Sequence, residues 1–245
     1  MSGHSKWSTI KRKKEATDSK RASIFTKIGR EIAVAVREGG GDPSTNSKLR
    51  DLIAKAKANN VPNDNIDRLI KKCLGEGDKS NYEEMTYEGY GPCGVAVMVE
   101  ALTDNRNRTA GDLRHYFDKC GGNLGQNGSV SFLFEAKGVI VIENEDEAIS
   151  EDKIYEDAML DGVEDIEYNE GVIVIKTEPN ACREVRIALE ALGYEFASAQ
   201  VEQVPTTYTA IPDPDMCVKM QKLIDMLEEN DDVQEVYHNW ENADE

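Results

Sequence analysis

The chain has 245 residues, 39% of them hydrophobic and 31% charged, and a formal net charge of −18. That balance excludes a fibrous or disordered polypeptide, and no apolar run approaches the roughly 20 residues that a bilayer span requires. The chain is long enough to bury one large core or two to three small ones.

The charge is unevenly held. The first 79 residues contain 18 of the 29 Lys and Arg against ten Asp and Glu, a formal +8, while the remainder holds 11 basic and 37 acidic side chains, a formal −26. A basic head on an acidic body attracts a polyanion with one end and repels it with the other, which orients the encounter. This asymmetry points to nucleic acid as partner, with no membrane and no small-molecule substrate implied; a solvated basic face without a partner is the competing reading. Cys73, Cys93, Cys120, Cys182 and Cys217 are scattered, odd in number and never spaced C-x-x-C. His4, His115 and His238 form no ligand-spaced pair. Free thiols, no metal site and no cofactor are therefore expected. The opening Met1-Ser2-Gly3-His4-Ser5-Lys6 lacks the apolar stretch of a secretory signal, so a cytoplasmic protein is expected.

From Ser2 to Arg21 there are seven basic residues and few large apolar ones. Burial cannot repay the ordering of such a segment, so it reads as a mobile or loosely packed arm. Its densest part is Lys11-Arg12-Lys13-Lys14, followed by Lys20-Arg21. Trp7, between Lys6 and Lys11, offers a flat surface for a base or sugar beside phosphate-binding cations, or an anchor that pins the arm to the head. Three helices follow. Ile24, Phe25, Ile28, Ile32 and Val36 recur at helical spacing up to Gly39-Gly40-Gly41. Asp42-Pro43 is a capping carboxylate followed by a helix-starting proline, with Leu49, Leu52, Ile53 and Ala56 on the next inner face. A third helix opens at Pro62 to Asp64 and buries Ile66, Leu69, Ile70, Cys73 and Leu74. Lys27, Arg30, Arg37, Lys48, Arg50, Lys55, Lys57, Lys71 and Lys72 would decorate the bundle. A helix-turn-helix reader is conceivable, but the spacing designates no groove-entering helix.

After Asp78 the pattern turns to strands: Met85 to Tyr90, then the β-branched run Val95 to Val99. Thr103-Asp104 caps a helix carrying Ala110, Leu113, Phe117 and Cys120 inward, and Ser129 to Phe134 reads as another strand. Residues 135–205 then have a complete β-α-β-β-α-β order, the ferredoxin-like arrangement. Its members are Val139 to Glu143, Ile149 to Leu160, Val163 to Tyr168, Val172 to Lys176, Asn180 to Leu192 and Glu195 to Val204. A helix from Asp213-Pro214 and a strand from Val233 to Trp240 close the chain. The fold class expected is α+β: a basic helical domain at 1–79, a discontinuous domain at 80–134 plus 206–245, and a second small α+β domain at 135–205 inserted into it.

Two motifs carry candidate chemistry. Thr103-Asp104-Asn105-Arg106-Asn107-Arg108-Thr109 is a basic, polar patch in an acidic body, with two arginines at the positive end of a helix dipole. An anion must offset them, either a carboxylate such as Asp104 or Asp112 or a bound phosphate. Gly121-Gly122-Asn123-Leu124-Gly125-Gln126-Asn127-Gly128-Ser129 lacks the Gly-Lys-Ser/Thr ending of a phosphate loop and precedes a strand, so a flexible connection is the better reading. No catalytic constellation is present, and His115 falls on the polar side of its helix; the expectation is a protein that is not an enzyme.

These residues together resemble the YebC family of bacterial and organellar regulators. The resemblance runs through Gly3-His4-Ser5-Lys6-Trp7 and the basic run to Lys14, Arg21 through Glu31, Gly39-Gly40-Gly41-Asp42-Pro43, and Ala54-Lys55-Ala56-Lys57 to Val61-Pro62 and Asn65-Ile66. It continues in Tyr87-Glu88-Gly89-Tyr90-Gly91-Pro92, Leu102 to Thr109, and Gly121 to Gly125. Cys93 departs from it, standing where the family usually has a glycine. The resemblance implies a helical domain followed by two α+β domains, the last inserted into the second, and no catalysis. It also implies a DNA-binding transcriptional regulator or, alternatively, a ribosome-associated translation factor that contacts RNA and relieves stalling at proline runs. The nucleic-acid contacts expected are His4, Lys6, Trp7, Lys11, Arg12, Lys13, Lys14, Lys20, Arg21, Lys27, Arg30, Arg106 and Arg108.

Overall fold

A computed structural model describes residues 18–59, 61–75 and 81–241. Within these the protein is α+β, with a helical N-terminal region and two four-stranded antiparallel sheets. The head comprises α1 (Asp18–Gly39), α2 (Ser47–Ala58) and α3 (Asn63–Leu74). Ile28, Ile32, Ala35 and Val36 of α1 meet Leu49 and Ala56 of α2 and Ile66 and Ile70 of α3 in one core. Helix α1 begins earlier than the apolar periodicity suggests, so Lys20 and Arg21 stand in its first turn and not on the arm.

Asp42-Pro43 does not start α2. The cap is Asn46, whose Oδ1 accepts from the Leu49 N–H at 3.0 Å while its Nδ2 donates to the carbonyls of Ala35 and Gly40 at 2.8 Å each. One buried amide thus closes the end of α1 and opens α2, a double duty that a carboxylate, with no N–H to donate, cannot perform; Asp42 instead accepts from the Ser44 N–H.

The first sheet has the order β3-β1-β2-β8, from β1 (Glu83–Tyr90), β2 (Ala96–Thr103), β3 (Asn123–Leu124) and β8 (Val233–His238). Strand β2 is central and buried on both faces. Val97 and Val99 meet α4 (Arg106–Lys119) and α7 (Pro214–Glu229) through Leu113, Phe117, Met220, Leu223 and Leu227. Ala96 and Met98 meet Val130, Phe134 and Tyr237 on the other side. Because β2 runs on to Thr103, that residue ends a strand, and the cap of α4 is Asn105, which accepts from the Arg108 N–H. The strand expected at Ser129 to Phe134 is a single 3-10 turn at Ser131–Leu133.

The second sheet has the order β5-β6-β4-β7, from β4 (Phe134–Asn144), β5 (Val163–Asn169), β6 (Gly171–Thr177) and β7 (Ser198–Pro205). Helices α5 (Glu151–Asp157) and α6 (Cys182–Ala191) cover Ile140, Ile142, Ile173 and Ile175. This is the ferredoxin-like arrangement, intercalated in sequence between β3 and α7. The chain leaves the first sheet, builds a second, and returns to place β8 beside β2. Among the described residues no helix is long and apolar enough to cross a membrane.

The turn joining β1 to β2, Gly91-Pro92-Cys93-Gly94, holds Cys93 at φ 58°. An L side chain there crowds the following carbonyl, the steric cost that glycine escapes. Cys93 is exposed, so its thiol gains nothing from packing. The Cys93→Gly variant should be more stable by about 1 kcal/mol, read as a higher urea midpoint with an unchanged slope.

Candidate nucleic-acid interface

Helix α1 presents one stripe to the head's core and a second to the body. Along the second, the Lys27 ammonium donates to the Glu228 carbonyl at 2.5 Å, and Ser23 bonds Asp231 at 3.2 Å. One helical turn on, the Arg30 guanidinium pairs with Asp232 at 2.5 Å, donates to the Leu102 carbonyl at 3.1 Å, and lies 5.3 Å from the Tyr82 ring centroid. Arg37, further along, donates to the Tyr82 carbonyl at 3.1 Å.

Asp232 is the hub. Its side chain is only 5% exposed, yet it receives Arg30 from the head and Arg108 and Thr109 from α4, at 2.8 Å for Arg108 Nη2 and 2.7 Å for the Thr109 hydroxyl. The Thr103 hydroxyl, at the end of β2, stands 3.3 Å away. Burial works to raise the Asp232 pKa, but the hydrogen bonds from Arg108, Thr109 and Arg30 outweigh it and hold the carboxyl below its ordinary value. Arg108 also pairs with Asp104 at 2.9 Å. The anion that offsets Arg108 at the α4 N-terminus is therefore a pair of the protein's own carboxylates. Arg106 is more open, 64% exposed, with Glu83 at 3.9 Å.

The glycine-rich segment is likewise organised around an internal anion. Glu88, buried on β1, accepts from the backbone N–H groups of Gly128, Val130 and Ser131 at 2.7 to 2.8 Å. Its own carbonyl accepts from Gly125, and the Tyr90 hydroxyl donates to the Ser129 carbonyl at 2.8 Å. N–H groups that could have cradled a phosphate, or paired with a neighbouring strand, converge on this carboxylate. That is why the segment forms neither a phosphate loop nor the expected strand, and why it is a pinned loop and not a flexible connection. Burial acts to raise the Glu88 pKa and the three backbone donors more than reverse it.

Of the contacts expected from sequence, His4, Lys6, Trp7, Lys11, Arg12, Lys13 and Lys14 lie outside the described residues, and Lys20 and Arg21 are placed only as part of the α1 backbone. The structure brings Arg30 and Arg108 together on Asp232, sets Lys27 on the same junction, and leaves Arg106 at its solvent edge. Lys48, Arg50, Lys57, Arg68, Lys71 and Lys72 of α2 and α3 are exposed. The residues that sequence reasoning missed are Asp232 and Glu88. Asp232 lies 202 positions from Arg30 and has no local signal, whereas Glu88 sat in view within Tyr87 to Pro92 with its partners 40 positions away.

The fold and junction define a three-part α+β protein in which a cationic helical head is clamped to an acidic body. Residues 5–76 match the TACO1/YebC protein N-terminal domain, and residues 82–240 match the TACO1/YebC second and third domain. The chain belongs to the TACO1/YebC family. It is 60% identical over 245 residues to a protein of Ruminiclostridium cellulolyticum and 58% identical over 240 residues to one of Acetivibrio thermocellus, each called a probable transcriptional regulatory protein. These alignments cover 100% and 98% of this chain and 98% and 99% of the relatives. The fold is similar to the crystal structure of a conserved hypothetical protein, Aq1575, from Aquifex aeolicus, with a TM-score of 0.82, 46% identity and 91% of each chain covered.

Two substitutions test this geometry. Asp232→Asn keeps the shape but leaves Arg30 without its charge partner, and should cost about 3 kcal/mol. Hydrogen exchange should rise in α1 and α4 while α6 is unchanged. Glu88→Gln can serve only some of the three backbone donors, and should cost about 2 kcal/mol at neutral pH. Because the folded pKa of Glu88 is depressed, its contribution is complete above the unfolded carboxyl value, ordinarily 4.5, and is lost as the pH falls through the folded one. The stability gap between the native protein and Glu88→Gln, followed by urea titration, should therefore narrow as the pH falls below the ordinary carboxyl value of 4.5.

Proposed function

We propose that this protein is a non-enzymatic, cytoplasmic regulator of gene expression that binds nucleic acid through its basic head, with DNA at a transcriptional target as the leading partner. The observation that carries this reading is the charge division, +8 over residues 1–79 against −26 over the rest. The relatives' description as probable transcriptional regulatory proteins supports it. In this reading the arm residues Lys6, Trp7, Lys11, Arg12, Lys13 and Lys14, with His4, Lys20 and Arg21, make the first phosphate contacts, and the outward cations of α2 and α3 extend them. Arg106 stands at the solvent edge of the head–body junction. Contacts by Lys27, Arg30 or Arg108 would require the junction to open, because each already serves another group.

One observation favours RNA on a ribosome as the alternative target. Helix α1 is the longest in the head, and two of its stripes are covered, one by α2 and α3 and one by the body. It is not presented as a groove-reading helix, and the body's negative charge opposes lying along an extended duplex. Contacts would then rest on phosphates and on irregular or single-stranded features.

The four-fold change Lys11→Glu, Arg12→Glu, Lys13→Glu and Lys14→Glu should abolish binding to DNA and RNA at 150 mM salt without altering the circular dichroism. For the native protein, engaging about five to eight phosphates of a short duplex gives a slope of log affinity on log salt of roughly −4 to −7. Retained binding by the variant, or a slope near zero, would remove the proposal. Crosslinking in growing cells followed by sequencing of the bound strand decides between DNA and ribosomal RNA.

A further inference from the structure

We propose that Phe132 is a stacking platform for an unpaired nucleic-acid base, at the end of the first sheet opposite the head junction. The inference rests on the nucleic-acid reading above and adds a second, differently built contact to it. Phe132 is 70% exposed, the most exposed aromatic ring among the described residues, although the residues around it are core: Val130 is fully buried and Phe134 nearly so. An exposed ring at the end of a frayed loop would carry no meaning. This one is held by backbone bonds on both sides.

Ser131 and Val130 donate to the Glu88 carboxylate at 2.8 and 2.7 Å, and the Leu133 N–H donates to the Val130 carbonyl at 2.9 Å. The Leu133 carbonyl in turn accepts from the N–H and hydroxyl of Thr206 at 2.8 and 3.1 Å. The ring therefore projects from a fixed base, and a partner stacking on it immobilises little that is not already ordered.

The surroundings select the partner. Residues 89–99, 119–134 and 203–212 contain no Asp or Glu, within a body that carries 37 of them. Hydrogen bonds and strand pairing bring these three stretches to the same end of the first sheet: β1 pairs with β3 at Gly89 and Tyr90, and Thr206 bonds to Leu133. Glu88, which enters this region from β1, is buried and turned onto three backbone N–H groups, and Glu135, which borders it, pairs with Lys137 at 3.4 Å. A phosphate backbone meets fewer carboxylates here than over the rest of the body. Exposed Gln126 and Asn127 offer amide donors and acceptors for base edges, and Tyr208, 39% exposed and two residues beyond Thr206, adds a second ring to this end. A protein partner would need a contiguous apolar patch of several hundred Å². An exposed ring beside a loop of Gly, Ser, Asn and Gln residues matches instead one base with a π-face and polar edges.

The test uses the full-length chain and three labelled 12-nucleotide probes of one sequence: single-stranded RNA, single-stranded DNA and a blunt DNA duplex, each titrated by fluorescence anisotropy. Phe132→Ala should weaken single-strand binding about tenfold, leave duplex affinity unchanged, and leave the salt slope unchanged because no phosphate contact is lost. Phe132→Trp should restore single-strand affinity and add fluorescence quenching, beyond that of the two native tryptophans, with single strands only. Whichever single strand binds more tightly identifies the source of the base. If Phe132→Ala binds all three probes like the native protein while the four-fold arm variant binds none, the platform is overturned and the nucleic-acid reading stands. If the native protein binds no probe, both fall. If Phe132→Ala instead converts a dimer to a monomer in sedimentation, the ring is a contact between copies and the platform is overturned.

Discussion

A carboxylate almost fully removed from water must be matched by cations and donors, and Asp232 takes them from three separate parts of the chain. Arg30 comes from α1, Arg108 and Thr109 from α4, and the Thr103 hydroxyl from the end of β2. Meeting this one requirement presses the head against the first sheet and fixes which stripe of α1 faces the body. It also holds the start of α4 in place through two carboxylates that compensate an arginine at the positive end of its dipole. The orientation of the head's remaining cations follows from that contact.

The division of labour among the head's cations is thus electrostatic in origin. Lys27 and Arg30 satisfy acceptors of the body, Lys55 pairs with Glu31, and Arg186 of α6 reaches Asp51 of α2 from the inserted unit. Apart from Lys48, which pairs with Glu38 and with Glu84 of β1, what points outward from α2 and α3 is a set of side chains the fold itself does not need for docking. Such residues are suited to a partner that supplies its own negative charge, because engaging them leaves the internal pairs undisturbed.

Glu88 applies the same logic at the other end of the first sheet. There the donors are three backbone N–H groups of a glycine-rich loop, and the carboxylate substitutes for an adjacent strand. A short two-residue β3 suffices to hold the sheet's edge because the loop beyond it is tied down by this buried anion. Charge that would repel a polyanion is turned inward at the same place where an aromatic ring is turned outward. The two ends of the sheet therefore differ in kind: one is a clamp of ion pairs, the other a neutral, amide-rich rim.

The sequence by itself determined the order and type of nearly every element, because helical and strand periodicities and glycine stops are local. Ile24 to Val36, Val95 to Val99 and the β-α-β-β-α-β run of 135–205 each carry their own signal. The basic head was legible for the same reason, as a count along the chain. What only the tertiary structure decided is where long-range partners meet. No local pattern shows that Asn46 rather than Asp42 caps α2, that Ser129 to Phe134 forgoes a strand because Glu88 takes its N–H groups, or that Arg30 and Arg108 converge on Asp232. A cation's sequence position records its charge but not its neighbour, and whether it faces solvent or a buried carboxylate is settled only when segments two hundred residues apart are packed together.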